Sequence, residues 1–318
     1  MTEVDVIIPV FNTPLRFLTE ALDSLRGQTH TRWIAWVIDD GSDKKYSLAL
    51  KDTLYKYNDS RLNYLYTEHK GPAGSRNVGI HKGTAPYVAL LDSDDCWLPA
   101  HLARQVSRLD TDNQVSVVHG HRTIIDSGGQ PLTREFPNTG LNGIDAQQEI
   151  VRMLKENYVN ASSVVVRRTV LEHVGYFDET FPCLVDKELW LRILIAGFRF
   201  HYDSEIVLLY RVHSQNISKK TQLLLETRQR IVEKAEAMIK GNALYADLDW
   251  NALRREMKHH MYLEAAEAHY AHGNFVQALK FCLPTYSGLS PHSCKLFLRS
   301  LVHILLKHEK VALPRAIL

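Results

Sequence analysis

The chain has few cysteines, and their positions suggest neither a disulfide framework nor a zinc site. Its 318 residues include four cysteines, at Cys96, Cys183, Cys282 and Cys294, with no CxxC pair among them. No Cys/His combination has the spacing of a zinc ligand set. These features favour reduced thiols and a cytosolic compartment.

Long apolar runs and a strong net charge are also missing. No stretch approaches the roughly 20 apolar residues that span a bilayer. The opening segment MTEVDVIIPVF lacks the basic region of a signal peptide, so its apolar run is predicted to be a buried strand. A formal net charge of +2 does not indicate a nucleic-acid partner. We expect a cytoplasmic protein, soluble or peripheral at the inner face of the membrane, that binds no nucleic acid.

Short apolar runs alternate with helical patterns through the first hundred residues. Four runs are predicted to be strands: Val4–Val10, Trp33–Ile38, Arg61–Tyr66 and Tyr87–Leu91. Continuous apolar strands separated by helices indicate a parallel sheet covered on both faces. From residue 114 to about 218 the pattern changes. Here we predict further strands of mixed direction in the same α/β sheet, at Val115–Ile125, Ala161–Val166 and Glu205–Tyr210.

Strand signals fade beyond residue 218, and the rest of the chain is predicted to be helical, with helices over residues 222–240, 251–272, 274–283 and 293–308. Residues 219–318 contain 15 Lys and Arg against 9 Asp and Glu, so their net charge differs in sign from that of residues 1–218. We therefore predict two regions, a catalytic domain over 1–218 and an all-α extension over 219–318.

Two segments of the helical extension each allow more than one interpretation. Residues 264–279 look like one tetratricopeptide-type hairpin, but such arrays normally need several repeats, so a packed helical appendage is the alternative. Residues 295–318 combine apolar and basic side chains. Such a helix lies on an anionic membrane surface, packs on neighbouring helices, or joins two copies of the chain.

Acidic residues follow two of the predicted strands directly. Asp39 and Asp40 end the second strand, and Asp92, Asp94 and Asp95 end the fourth. The carboxyl ends of strands in an open α/β sheet form the ligand crevice. Carboxylates gathered there repel one another unless a cation offsets them, and a divalent metal with a phosphate would do so. The alternative for both segments is a solvated turn that caps the next helix.

Five segments in order resemble a known family: VIIPVFN, VIDDGS, GPAGSRNVGI, LLDSDDCWLP and FDETF…VDKELWLR. Together they resemble the inverting family 2 glycosyltransferases of the GT-A fold, over residues 3–215. The resemblance implies a nucleotide-diphospho-sugar donor, usually a UDP-sugar, and Mn²⁺ or Mg²⁺ as cofactor.

The resemblance also implies roles for residues around the donor. Asp94 would be the principal metal ligand, and His213 would complete the metal shell or, like Arg211, neutralise the leaving group. Asp40 would contact the base, and Arg76 the base or the diphosphate. The donor-binding set that follows from the match is Pro9, Phe11, Asn12, Asp40, Arg76, Asp92, Ser93 and Arg211.

The catalytic base implied by the resemblance is Asp186. Relatives commonly have Glu-Asp at this point, whereas this chain has Val185 before the aspartate. Either the acceptor is held differently, or Lys187 and Glu188 compensate for the missing carboxylate. The alternative for Asp186 is a helix N-terminal residue favoured by the macrodipole.

The predicted function is sugar transfer to a hydroxyl of a glycan or lipid-linked acceptor in cell-surface polysaccharide assembly. A catalytically silent nucleotide-sugar-binding scaffold with a partner-binding tail is the alternative. A nucleotidyltransferase is disfavoured, because it would prefer a glycine-rich phosphate loop near the first strand and VIIPVFNTP has no glycine.

Overall fold

The computed structural model describes residues 2–132, 142–213, 221–242, 245–271 and 274–282. The chain divides into two compact units, Met1–Lys240 and Gly241–Leu318. The predicted domain boundary at residue 218 stays a prediction, and a helix that begins at Thr221 falls within the first unit.

The first unit is built on one mixed sheet of eight strands in the order β3-β2-β1-β4-β7-β6-β8-β5. The strands β1 to β4 are parallel, β7 is antiparallel to β4 and β6, and β6 pairs parallel to β8. The eight strands are β1 Val4–Val10, β2 Trp33–Asp40, β3 Leu62–Thr67, β4 Tyr87–Leu90, β5 Cys96–Trp97, β6 Val115–Ile125, β7 Val164–Arg167 and β8 Arg199–Arg211.

Helices follow most of the strands, and a 3₁₀ turn, Ala161–Ser163, precedes β7. The helices of the first unit are α1 Leu15–Arg26, α2 Lys44–Tyr57, α3 Gly71–Lys82, α4 His101–Thr111, α5 Ala146–Lys155, α6 Arg168–Val174, α7 Val185–Ile195 and α8 Thr221–Ile239. In the second unit the described helices are α9 Trp250–Ala271 and α10 Phe275–Cys282, and they pack on each other.

The core lies between the sheet and its helices, with β1 at its centre. Six of the seven β1 side chains are buried. The apolar positions of α1 recur at helical spacing, and they are buried against the sheet at Phe17, Leu18, Ala21, Leu22 and Leu25. On the other face α3 comes so close that a Cβ on Gly79 would lie 2.6 Å from Ile38 Cδ1, which explains why a glycine stands there.

The predicted α/β sheet with mixed strand direction is confirmed, and so is the helical character after residue 218 within the described residues. The differences arise where packing overrides a weak local pattern. The strand predicted for residues 205–210 begins at Arg199, because its pairing with β6 continues past the apolar run. The predicted helix at residues 293–308 and the basic segment 295–318 lie outside the described residues.

Two expectations about composition can be compared with the structure. The three described cysteines, at positions 96, 183 and 282, are buried. Within the described residues, none of the helices combines the length and the apolar character that a bilayer crossing requires.

The carboxyl group of Glu149 on α5 gives a pH-dependent contribution to stability. Burial raises its pKa to about 7, although a hydrogen bond from the Tyr158 hydroxyl and the charge of Arg199 oppose the shift. The unfolded chain therefore loses this proton at lower pH than the folded chain, so stability falls as pH rises towards 7. We expect Glu149→Gln to leave the melting temperature unchanged at pH 4 and to stabilise the chain by about 1–3 kcal/mol at pH 8.

Thermal unfolding between pH 4 and pH 8 checks this expectation. Glu233→Gln serves as the control, because Glu233 is exposed on α8 and accepts a hydrogen bond only from Gln229 among the described residues. An equal gain from both variants at pH 8 would assign the effect to net charge and not to the burial of Glu149.

Candidate active site

The turn after β1 is hydrogen-bonded to the turn after β2. Asn12 adopts a left-handed backbone with φ of +48°, its N–H donates to Ser42 Oγ at 3.0 Å, and its Oδ1 accepts from the Asp43 N–H at 3.0 Å. Parallel pairing in which Val10 lies opposite Asp39 brings the two turns together. The side chain of Asn12 therefore shapes the crevice, while its predicted contact with the donor stays a prediction.

Asp40 lies at the end of β2 with both carboxylate oxygens in contact with the turn after β3. Its Oδ1 accepts from the Lys70 N–H at 2.7 Å, and its Oδ2 lies 3.0 Å from His69 Nδ1. Burial raises the pKa of Asp40, and the contacts with Lys70 and His69 oppose that shift. Phe11, which is 50% exposed, stacks on the His69 ring with 4.3 Å between centroids.

His69 was not among the predicted site residues. The available signal was its place in the segment after β3, where a third strand ends at the same edge as Asp40. Phe11, Asp40 and His69 together form a flat, partly exposed platform with one carboxylate edge. Stacking surfaces with a hydrogen-bond acceptor beside them suit a planar nucleobase.

Asp39, the neighbour of Asp40, has a structural role. Its Oδ1 accepts from the Ser42 N–H at 3.0 Å and its Oδ2 from the Tyr64 hydroxyl at 2.8 Å. Burial raises the pKa of Asp39, but hydrogen bonds from Ser47, Ser42 and Tyr64 outweigh it and lower the pKa overall. Of the two aspartates, only Asp40 is therefore part of the platform predicted to bind the nucleobase.

Arg76 on α3 forms a short ion pair with Asp92 after β4. Its Nη2 lies 2.5 Å from Asp92 Oδ1, and its Nη1 donates to the Pro72 carbonyl at 3.1 Å. Only 7% of the Arg76 side chain is exposed, so the arginine is not on the helix surface. A guanidinium beside a carboxylate at the crevice is well placed to meet a phosphate as well.

Asp94 pairs with His213, which follows β8. His213 Nε2 lies 2.8 Å from Asp94 Oδ2, and Ser93 Oγ contacts Thr13 Oγ1 at 2.8 Å. The backbone of the loop is held as well, because the Asp92 N–H donates to Ser162 Oγ at 3.0 Å. Chain segments more than a hundred residues apart thus fix the orientation of the Asp94 carboxylate.

Arg211 supports this loop from the interior. Its backbone N–H donates to Asp95 Oδ1 at 2.9 Å, its Nε donates to the Asp94 carbonyl at 2.8 Å, and its Nη2 contacts Glu20. The guanidinium also lies over the Phe17 ring, 4.6 Å from the centroid. With 1% of its side chain exposed, Arg211 positions the Asp94 loop. Its predicted contact with the donor stays a prediction.

The carboxyl groups of the loop lie close enough to repel one another. Burial raises the pKa of Asp92, as do the charges of Asp94 and Asp186, and Arg76 opposes them. Burial together with Asp94 and Asp92 raises the pKa of Asp95 well above its ordinary value. Carboxylates this close repel one another when they are charged, and a bound cation would relieve that repulsion.

Asp186 lies in the first turn of α7, facing the same crevice, and the charges of Asp186 and Asp92 interact. Asn157 Nδ2 donates to its Oδ2 at 3.0 Å. Leu184, immediately before the helix, has φ of +52°, a left-handed conformation that turns the chain sharply into α7.

Val185 and the residues after Asp186 point away from the crevice. Val185 is 3% exposed. Lys187 Nζ donates to the Leu154 carbonyl at 2.8 Å, and Glu188 pairs with Arg192. Both side chains are buried and engaged with these partners, and compensation for the missing glutamate by Lys187 and Glu188 stays a prediction.

The donor set fits a hard divalent cation that also binds phosphate. Asp94 and His213 offer one carboxylate oxygen and one imidazole nitrogen within 2.8 Å of each other. The described residues contain no group of three His, Cys, Asp or Glu that could hold a metal ion without another ligand. Mg²⁺ commonly takes one or two protein ligands and completes its shell with water and substrate phosphates, so two protein donors suffice.

The sheet order and the aspartates at the strand ends are those of the GT-A glycosyltransferase fold, and the comparisons with known proteins agree. The profile of the family described as Glycosyl transferase family 2 matches residues 5–175. The chain belongs to this family, and the predicted resemblance is confirmed.

Among curated proteins, one similar sequence is an uncharacterized glycosyltransferase of Rickettsia felis, 28% identical over 218 residues, which are 68% of this chain and 35% of the relative. The chain thus spans about a third of the length of that relative. Another is the Escherichia coli UDP-Glc:alpha-D-GlcNAc-diphosphoundecaprenol beta-1,3-glucosyltransferase WfgD, 29% identical over 194 residues, with 60% of this chain and 69% of the relative covered.

Two solved structures share the fold at low sequence identity. The mannosyltransferase PcManGT from Pyrobaculum calidifontis, in complex with GDP-Man and Mn²⁺, gives a TM-score of 0.63 at 18% identity, with 96% of this chain and 81% of the other covered. The S. aureus TarS 1-349 in complex with UDP-GlcNAc gives a TM-score of 0.61 at 17% identity, with coverage of 98% and 93%.

Proposed function

We propose that the chain transfers a sugar from a nucleotide-diphospho-sugar, with a UDP-sugar as donor, to a hydroxyl group of a glycan or lipid-linked acceptor, and inverts the anomeric configuration. The observation that carries the proposal is the convergence of Asp92, Asp94, Arg76 and His213 at one crevice, with Asp186 facing it. That arrangement combines a diphosphate site with a base on the acceptor side.

Two features support a uridine donor. Asp40 offers a carboxylate beside the exposed ring of Phe11, where a base N–H can donate to it. The structural neighbour TarS has been solved with UDP and with UDP-GlcNAc. In the proposal the base lies against Phe11 and Pro9, the ribose near Asn12, and the diphosphate near Arg76.

Asp94 and His213 are the residues that would hold Mn²⁺ or Mg²⁺ with the diphosphate. A bound divalent cation stabilises the negative charge that develops on a diphosphate leaving group. Asp92 and Ser93 border the ribose and the sugar in this proposal. The Arg76–Asp92 ion pair keeps Asp92 oriented and places a fixed positive charge beside the diphosphate.

The proposed reaction is a single displacement at the anomeric carbon. Asp186 takes the proton of the acceptor hydroxyl while the oxygen of that hydroxyl bonds to the anomeric carbon. The bond from this carbon to the diphosphate oxygen breaks, and its electron pair leaves with the diphosphate. Attack and departure occur on opposite faces, so the configuration inverts. The reaction needs no covalent intermediate on the protein.

The proposed acceptor class follows from a relative. WfgD is named as a glucosyltransferase that acts on a diphosphoundecaprenol-linked sugar. A lipid-linked acceptor of that kind would be met at a membrane surface, and the basic segment 295–318 is the proposed point of peripheral contact at the inner face. A homo-oligomer formed through the helical region is part of the same proposal.

The proposal is tested by incubating the purified full chain with UDP-glucose, UDP-N-acetylglucosamine and GDP-mannose, with and without Mn²⁺. We expect release of UDP or GDP from one donor, and an increase in melting temperature with that nucleotide only when Mn²⁺ is present. Adding a diphosphoundecaprenol-linked sugar should accelerate the release. Tight binding without turnover towards any acceptor would instead favour the catalytically silent scaffold.

A further inference from the structure

Asp186 has one side-chain hydrogen bond among the described contacts, and it comes from a distant segment. Asn157 lies in the loop between α5 and the 3₁₀ turn, 29 positions before Asp186. Its Nδ2 donates to Asp186 Oδ2 at 3.0 Å. The contact joins two elements that meet at the acceptor side of the crevice.

The loop that carries Asn157 is fixed on both sides. Tyr158 and Val159, which follow it, are buried at 8% and 0% exposure. Just before it, the Leu154 carbonyl accepts from Lys187 Nζ at 2.8 Å, which ties the end of α5 to the first turn of α7. The amide of Asn157 is therefore held against Asp186 by packing and not by a flexible tether.

The carbonyl oxygen of the same Asn157 amide lies in a different environment from the nitrogen. Within the described part of the chain, Asn157 Oδ1 is buried and has no hydrogen-bond partner. A buried carbonyl left without a partner costs free energy. The amide cannot rotate by half a turn to relieve this cost, because Oδ1 would then face the carboxylate of Asp186. The Nδ2 end of the amide is thereby fixed as the end that faces Asp186.

We infer that Asn157 is a positioning residue for the base Asp186, retained for turnover at the expense of stability. The inference rests on the proposed function. A hydrogen bond to Oδ2 fixes the plane of the carboxylate and leaves Oδ1 of Asp186 to receive the proton of the acceptor. The amide thereby supplies a polar contact directly beside the proposed base.

The test uses the full chain with Mn²⁺ and whichever donor sugar the wild type hydrolyses, so that water serves as the acceptor. For Asn157→Ala we expect kcat to fall about 10- to 100-fold, with the KM for the donor and the UDP-dependent shift in melting temperature unchanged. The melting temperature without ligand should stay the same or rise, because the unsatisfied carbonyl is removed together with the contact.

Two further variants separate positioning from a structural role. In Asn157→Asp a second carboxylate beside Asp186 should move the acid limb of the pH–rate profile to higher pH, since like charges disfavour ionisation. The matched control is Asn63→Ala on β3, whose Nδ2 makes long contacts of 3.4 Å and 3.3 Å to the carbonyls of Ala35 and Arg61. We expect the control to leave kcat unchanged.

The outcomes distinguish this inference from the proposed function. A fall in melting temperature that parallels the loss of kcat in Asn157→Ala, or an acid limb that does not move in Asn157→Asp, would make Asn157 structural and overturn the inference alone. If wild-type chain binds UDP with Mn²⁺ but turns over no donor, the proposed function fails and the inference fails with it.

Discussion

Replacement of Asp186 by asparagine should lower kcat by about 10³-fold or more while leaving donor binding intact. The amide occupies nearly the same volume as the carboxylate but does not accept the proton of the acceptor hydroxyl. Asp186 lies in the first turn of α7, on the proposed acceptor side, whereas the predicted metal and diphosphate groups lie after β4 and β8. The loss should therefore fall on turnover and not on affinity for the donor.

Steady-state release of UDP gives kcat, and the melting temperature with UDP and Mn²⁺ reports donor binding. Asp203→Asn is the matched control. Asp203 lies on β8 and forms an ion pair with Arg104 at 2.7 Å, so we expect this variant to change stability without changing kcat. A kcat of Asp186→Asn within tenfold of wild type would mean that another group removes the proton.

Replacement of Asp94 by asparagine should abolish the response of the chain to Mn²⁺ and lower turnover by about 10²- to 10³-fold. An amide is a far weaker ligand for a hard cation than a carboxylate, because it carries no charge. The Asp94 carboxylate also lies 2.8 Å from His213 Nε2, so its loss leaves the imidazole as the single remaining donor of the pair. Without the cation, the charge on the leaving group is not offset.

Mn²⁺ titration followed by UDP release measures this effect directly. His213→Gln should show an intermediate loss with a raised Mn²⁺ requirement, because one ligand of the pair remains. Asp110→Asn is the control, since Asp110 contacts Thr2 and the Tyr87 hydroxyl at the amino-terminal edge of the sheet. Wild-type Mn²⁺ dependence in Asp94→Asn would assign metal binding to other residues.

Much of the fold could be predicted because the determining patterns are local. Apolar runs of four to eight residues separated by helical spacing indicated β1 to β4 and their parallel arrangement. The predicted bounds agree with the structure within one or two residues, as with Tyr87–Leu90 against the predicted Tyr87–Leu91. The helices α5 and α6 were not predicted, although the buried residues Ile150, Met153 and Leu154 of α5 recur at helical spacing.

Some residues of the candidate site could likewise be predicted from the sequence, and others could not. The aspartates after β2 and β4 follow apolar runs directly, so their place at one edge of the sheet was predictable. Arg76 was identified only through resemblance, since its spacing alone is compatible with an exposed helix face. His69 and Asn157 were missed because neither lies within the five segments that carry the family resemblance.

The amino-acid sequence by itself determined the α/β class of the first two hundred residues, the acidic strand ends and the family, since each depends on residues close together along the chain. Tertiary structure alone decided which partner each side chain takes. The pairs Arg76–Asp92, His213–Asp94 and Asn157–Asp186 join segments 16, 119 and 29 positions apart. Such pairings follow from how strands and helices pack, and that packing is not determined by residues that are neighbours in the sequence.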